Sequence, residues 1–172
     1  SYLILIRHGQ STWNLEKRFT GWVDVDLTEN GKLEAKKAGD LIQRLNININ
    51  YFYSSFQIRA NHTLKIIQKS LNSKKNFIRA WELNERHYGV LTGLNKVEVG
   101  KKLGEKKVYQ FRRSWNLRPD PLDKKSQFHP LNIGTYKDIP TEFIPDTESL
   151  KDTYNRVTKY FDSEIKDKIK NG

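Results

Sequence analysis

Three short apolar runs, Tyr2–Ile6, Asn50–Ser54 and Phe77–Ala80, alternate with stretches whose apolar residues recur at helical spacing. This alternation constrains the fold more than any other feature of the chain. The first run is leucine or isoleucine after Tyr2, the pattern of a strand buried on both faces of a parallel sheet. Thr28 then suits an N-cap. Beyond it, Leu33, Ala38, Leu41, Ile42 and Leu45 predict an amphipathic helix to about Leu45. A second helix is predicted over Phe56–Leu71, from Ala60, Leu64, Ile67 and Leu71. The order β-loop-α-β-α-β predicts an α/β three-layer sandwich, with a mostly parallel sheet and helices on both faces. Ligands of such sheets sit beyond the carboxyl ends of the strands, so the Arg7-His8 and Ser54-Ser55 turns should lie near one another.

The segment from 95 to 146 differs in character. Two short helices are expected, near Asn95–Leu103 and Glu105–Trp115. A loop follows that carries all five prolines, from Pro119 to Pro145. Long loops in compact domains are commonly functional. A last helix is expected from about Thr147, with Leu150, Tyr154, Val157, Phe161, Ile165 and Ile169 on one stripe. The 172 residues suit one domain, 1–172, with 95–146 as an insertion in it.

Composition narrows the function classes. No apolar run approaches the roughly 20 residues that span a bilayer, and the opening run is too short, without a basic flank, for a signal peptide. The absence of cysteine excludes a disulfide framework and thiolate metal sites, so a cytoplasmic enzyme is expected. A net charge of +11 would suit a nucleic-acid binder. Much of the excess, however, is lysine pairs such as Lys36-Lys37 and Lys101-Lys102 on predicted helix faces and loops. These read as solvated surface. The arginines sit inside motifs and are the informative charges.

Directly after the first strand comes Arg7-His8-Gly9-Gln10-Ser11-Thr12-Trp13-Asn14. An imidazole is nucleophilic only when neutral, and positive charge from Arg7 would favour that form of His8. Gly9 would let the backbone approach a phosphate, and Arg7 and Asn14 could donate hydrogen bonds to its oxygens. A loop histidine satisfied by backbone groups is the plainer alternative. Thr20-Gly21 adds a hydroxyl and a bare backbone N–H. Arg59, one turn into a helix, can reach back to the site. Glu85, in Glu85-Arg86-His87-Tyr88-Gly89, is a candidate proton acceptor, or else an ion-pair partner of Arg86. Lys96 and Arg112-Arg113 offer cations for a second anionic group, or simply a basic helix face. His62, His87 and His129 lack ligand spacing and are expected to be structural or at the surface.

Together these runs resemble the histidine phosphatase superfamily and, more closely, its cofactor-dependent phosphoglycerate mutases. RHGQSTWN at 7–14, FTGWVDVDL at 19–27, LNERHYG at 83–89, GLNK at 93–96 and FRRS at 111–114 match that family in order and spacing. The resemblance implies interconversion of 3- and 2-phosphoglycerate through a phosphohistidine at His8, with Glu85 as general acid and base. Arg7, Asn14 and Arg59 would bind the transferred phosphoryl group, with Thr20-Gly21 nearby. Tyr88, Lys96, Arg112 and Arg113 would hold the substrate's carboxylate and second phosphate. It extends the substrate-binding set to Gly9, Gln10, Ser11, Thr12 and Trp13, and to Arg86 and His87. It further implies 2,3-bisphosphoglycerate as priming donor, no metal, phosphoglycerate substrates, and a homodimer or homotetramer binding neither nucleic acid nor membrane.

Glu82 and Thr92 stand where the family usually has Arg and Gln. The family also carries a second active-site histidine on a strand after the last helix, and the sequence stops at Gly172 before any such segment, so a C-terminal strand and helix are expected to be missing from it. Two rival readings remain at this point. One is a histidine phosphatase acting on small phosphorylated metabolites; the other is an inactive anion-binding fragment.

Overall fold

The computed structural model describes residues 2–170. Helix α1 (Thr12–Leu15) is a single turn, and α2 (Glu29–Arg44) packs on α3 (Ile58–Ser70). Between and after them lie two short strands, β1 (Tyr53–Ser54) and β2 (Ile78–Arg79), paired in parallel with Tyr53 opposite Ile78. A hairpin of α4 (Lys96–Leu103) and α5 (Glu105–Arg113) follows. Residues 130–143 are wound into three single 3₁₀ turns, and α6 (Leu150–Tyr160) leads through a π-helical turn into α7 (Lys166–Lys170). The α/β class with a parallel sheet is therefore as expected.

Several local expectations are corrected. Residues 2–6 form no strand, and Tyr2 and Leu5 are exposed rather than buried. The physical reason is the lack of a partner: the hydrogen bonds of β1 go to β2, and among the described residues no strand lies beside 2–6. These residues instead form one wall of a groove of about 1020 Å³. Residues 47–55, Leu64 and Ile67 of α3, and Val157, Phe161, Ile165 and Ile169 line it with them. His8 and Glu85 also line it.

The buried face of α2 is also not the leucine stripe. Leu33, Leu41 and Leu45 are exposed, while Gly31, Ala35, Gly39 and Ile42 are buried. Gly39 lets the two helix backbones approach closely, since a Cβ built on it would lie 3.1 Å from the Cα of Ile67, whereas Gly31 meets the backbone of Gln10. The last helix begins later than expected. Ser149 is its N-cap, in a capping box with Asp152. The π turn over Phe161–Ile165 inserts extra backbone into the helix. Leu150 and Tyr154 stay exposed, whereas the C-terminal part of the stripe faces the groove.

Two apolar clusters surround the site. Phe19, Leu91, Val99 and Val108 seat the α4–α5 hairpin, with Tyr88 and Phe111 against them. Trp22, Tyr136 and Ile139 seat the proline-containing loop, with Phe56, Trp81, Ile133 and Ile144 around them.

Candidate active site

Arg59 organises the site. It projects from the first turn of α3 and is fully buried. Its Nη1 donates to the carbonyl of Val23 at 2.9 Å, and its Nη2 to the carbonyl of Gly21 at 2.8 Å. The loop over residues 21–23 thus fixes the guanidinium plane from one side. From the other side, Nη2 donates to Glu85 Oε2 at 2.9 Å and Nε donates to His8 Nε2 at 3.2 Å. Gly21 makes this possible: its φ of +55° turns the chain sharply.

The tautomer of His8 follows from its partners. Nδ1 lies 2.7 Å from the Gly9 carbonyl, which can only accept, so Nδ1 carries the hydrogen. Nε2 keeps its lone pair and points at Arg59. Burial chiefly pushes the His8 pKa below its ordinary value; the bond to the Gly9 carbonyl opposes this, and Arg59 lowers it further. Arg7 acts in the expected direction, but as the smallest of these influences. The ring is therefore neutral near pH 7 and presents one bare nitrogen, as a nucleophile requires.

Glu85 is partly exposed, with its carboxylate on Arg59 and its backbone N–H directed to Gln57 Oε1. Arg86 does not pair with it. Arg86 is buried, donates to the Phe111 carbonyl at 2.6 Å and stacks over Tyr88. Tyr88 leans on Phe19, and burial raises its pKa. Lys96 opens α4 with its ammonium over the Phe19 ring. Its pKa is lowered by burial and then by Arg112. Arg112 and Arg113 are exposed in the last turn of α5. Arg7 is exposed beside His8.

The rest of the first motif has mainly packing partners. A Cβ on Gly9 would lie 2.1 Å from the Gly31 carbonyl oxygen, so this glycine is required by the approach of α2, and its N–H donates to Thr63. Gln10 is tied to Thr28 and Glu34, and the Thr12 N–H donates to the Asp26 carbonyl. Ser11 caps α1, in a capping box with Asn14. Trp13 packs edge-on to Phe128 and under Arg18. Thr20 is buried next to Gly21.

His87 and His129 are both fully buried with ring centroids 6.1 Å apart. Burial depresses the His87 pKa to about 3, with the second histidine adding to it. His62 sits part-exposed on Asp26. Among the described residues no group of three potential metal ligands comes together.

Sequence reasoning missed several residues that hold the site: Gln57 at the N-cap of the Arg59 helix and Thr63 within it, Tyr136 in the loop, and the pair Glu148 and Arg156. None of these lies in a recognisable motif. Only the neighbouring Ser149–Asp152 capping box left a local signal, marking where α6 begins.

A model of the histidine phosphatase superfamily, branch 1, matches residues 3–130. The chain is 64% identical over 171 residues to the 2,3-bisphosphoglycerate-dependent phosphoglycerate mutase of Pelagibacter ubique (strain HTCC1062), covering 99% of this chain and 72% of that protein. The chain belongs to the histidine phosphatase superfamily, among its phosphoglycerate mutases. Solved structures agree on the fold. A phosphoglycerate mutase from Bacillus anthracis str. Sterne superposes with a TM-score of 0.65 at 24% identity, over 96% of this chain and 67% of that one. A putative α-ribazole-5′-P phosphatase from Escherichia coli str. K-12 gives 0.61 at 16%, over 91% and 63%. A protein named as a mutase and one named as a phosphatase thus share this architecture, and the fold alone does not separate the two activities.

Proposed function

We propose that the protein interconverts 3-phosphoglycerate and 2-phosphoglycerate through a phosphohistidine at His8. The observation that carries the proposal is the Arg59 guanidinium, which bridges His8 Nε2 and Glu85 Oε2. It brings the unprotonated ring nitrogen of His8 and the Glu85 carboxylate against one fixed cation. The close likeness to a named mutase supports the substrate class.

In this reading Arg59 and Arg7 neutralise the phosphoryl oxygens. The cations at Lys96, Arg112 and Arg113 suit a second anionic group, so the residues fit 2,3-bisphosphoglycerate, which would supply the priming phosphoryl group. Glu85 accepts the hydroxyl proton of the substrate as its oxygen bonds to phosphorus. The bond from phosphorus to His8 Nε2 then breaks and its electron pair returns to the ring. In the reverse transfer Glu85 gives the proton back to the departing oxygen. Positioning and charge neutralisation do most of the work in such chemistry. The Gly9 carbonyl keeps the ring in the required tautomer throughout.

The proposal also includes residues 95–146 as a cap over the substrate, within a single domain. Lys96, close to the fields of Arg112, Glu85 and Arg7, supports that placement. A cytoplasmic location and a homo-oligomeric assembly belong to the same proposal. No helix of the described residues is long and apolar enough to cross a membrane.

The test uses protein expressed from its complete reading frame. Incubation with 2,3-bisphosphoglycerate should add one acid-labile, base-stable phosphate, absent in His8→Ala, and the enzyme should convert 3- to 2-phosphoglycerate. Labelling that survives in His8→Ala would overturn the assignment. Release of inorganic phosphate without interconversion would favour the phosphatase instead.

A further inference from the structure

The Glu85 loop is held by a buried ion pair that no motif singled out. Arg156, on α6, donates from Nε to Glu148 Oε1 at 2.7 Å and from Nη2 to Glu148 Oε2 at 2.9 Å. Both side chains are largely shielded from solvent. The remaining hydrogen bonds of the pair are distinctive. Arg156 Nη1 donates to the carbonyl of Glu82 at 2.6 Å, and Nη2 to the carbonyl of Glu85 itself at 3.1 Å. Glu148 Oε2 accepts the backbone N–H of His87 at 2.9 Å, and the Glu148 N–H donates to the His87 carbonyl.

We infer that Arg156 and Glu148 position Glu85 for proton transfer. Arg156 fixes the peptide that begins at the Glu85 carbonyl, and Glu148 fixes the next peptide at the His87 N–H. With both planes held, the backbone torsions on the carboxyl side of Glu85 cannot drift, and its carboxylate stays on Arg59. A buried ion pair by itself contributes little net stability, because desolvation offsets the attraction. Every side-chain hydrogen bond that this pair makes beyond itself ends on backbone of residues 82, 85 or 87. This is how a clamp on one loop would be built. A displacement of about 1 Å at a catalytic group can cost ~10²-fold in rate.

The inference rests on the reading of His8 and Glu85 given above, and the experiment separates the two. Formation of phosphohistidine is followed with two donors: 2,3-bisphosphoglycerate, whose leaving alkoxide needs a proton, and p-nitrophenyl phosphate, whose leaving phenolate needs almost none. The variants are Arg156→Lys, Glu148→Gln and the double variant Arg156→Met with Glu148→Met, which keeps α6 packed on apolar side chains. Glu85→Gln is run alongside. Positioning predicts a loss of about 10–10² with the alkyl donor and under about 3-fold with the aryl donor, with KM little changed. Glu85→Gln should show the same selectivity more strongly. Equal losses on both donors, or none, while Glu85→Gln stays selective would reduce the pair to a structural tie and overturn the inference. A Glu85→Gln variant without selectivity would overturn the role of Glu85 and the inference with it.

Discussion

Arg59 Nε lies 3.2 Å from His8 Nε2 and donates its hydrogen to the one ring nitrogen that carries a lone pair. The contact orients the His8 ring and keeps positive charge beside it, which favours the neutral form. A phosphoryl group arriving at Nε2 would meet the same guanidinium. In the proposed mechanism one buried cation would thus serve both the free site and the transfer.

Replacing Arg59 by lysine keeps the charge but cannot satisfy Gly21, Val23, Glu85 and His8 together. We expect kcat to fall by about 10²–10³, the cost of losing a positioned donor. Steady-state kinetics checks this, with circular dichroism to confirm folding. A fall of less than tenfold would show that charge alone suffices.

The pH dependence of His8 phosphorylation follows from its lowered pKa. An unperturbed histidine would lose nucleophilicity as pH falls through about 6.5. Here the midpoint of the decline should lie below that point. Rapid-quench labelling between pH 4 and 8 measures it. A midpoint at or above 6.5 would contradict the burial argument.

His87 should make stability depend on pH in the acid range. Its pKa is about 3 in the folded chain against an ordinary 6.5 once unfolded, so the unfolded chain binds the extra proton between those values. Its contribution is complete above pH 6.5 and is lost as pH falls towards 3, at up to about 1.4 kcal/mol per unit. Replacing His87 with glutamine should flatten that slope in urea titrations. An unchanged slope would assign the acid sensitivity elsewhere.

Gly9→Ala should destabilise strongly, because the new methyl would lie 2.1 Å from the Gly31 carbonyl oxygen and neither backbone can retreat easily. We expect a loss of about 3 kcal/mol or more. Thermal unfolding measures it, and a change under about 1 kcal/mol would show that α2 can shift.

Tyr136→Phe removes the hydroxyl that donates to the Trp22 carbonyl, midway between the two carbonyls that hold Arg59. A loss of about 1–3 kcal/mol is expected from the unsatisfied buried acceptor. The same variant should lower kcat, since the 21–23 loop loses its support. Normal stability and turnover would show that the loop is rigid without it.

The candidate site was legible in the sequence because its groups lie in short contiguous runs. Arg7-His8-Gly9, Glu85 in its own motif, and Arg59 one turn into a helix can each be read locally. The α/β alternation was legible for the same reason, since helical and strand periodicities are local patterns. What tertiary structure decided is everything that depends on a distant partner. Residues 2–6 have the composition of a buried strand, but a strand exists only where another lies beside it to share its hydrogen bonds. Leu33 and Leu41 of α2 are exposed, yet Gly31 and Gly39 are buried because they allow close approach to the Gln10 backbone and to α3 respectively. Arg156 and Glu148 carry no motif, and 71 positions separate Arg156 from the Glu85 carbonyl it holds. Local sequence therefore names the candidate reacting groups, whereas only the folded chain shows which side chains lie against them.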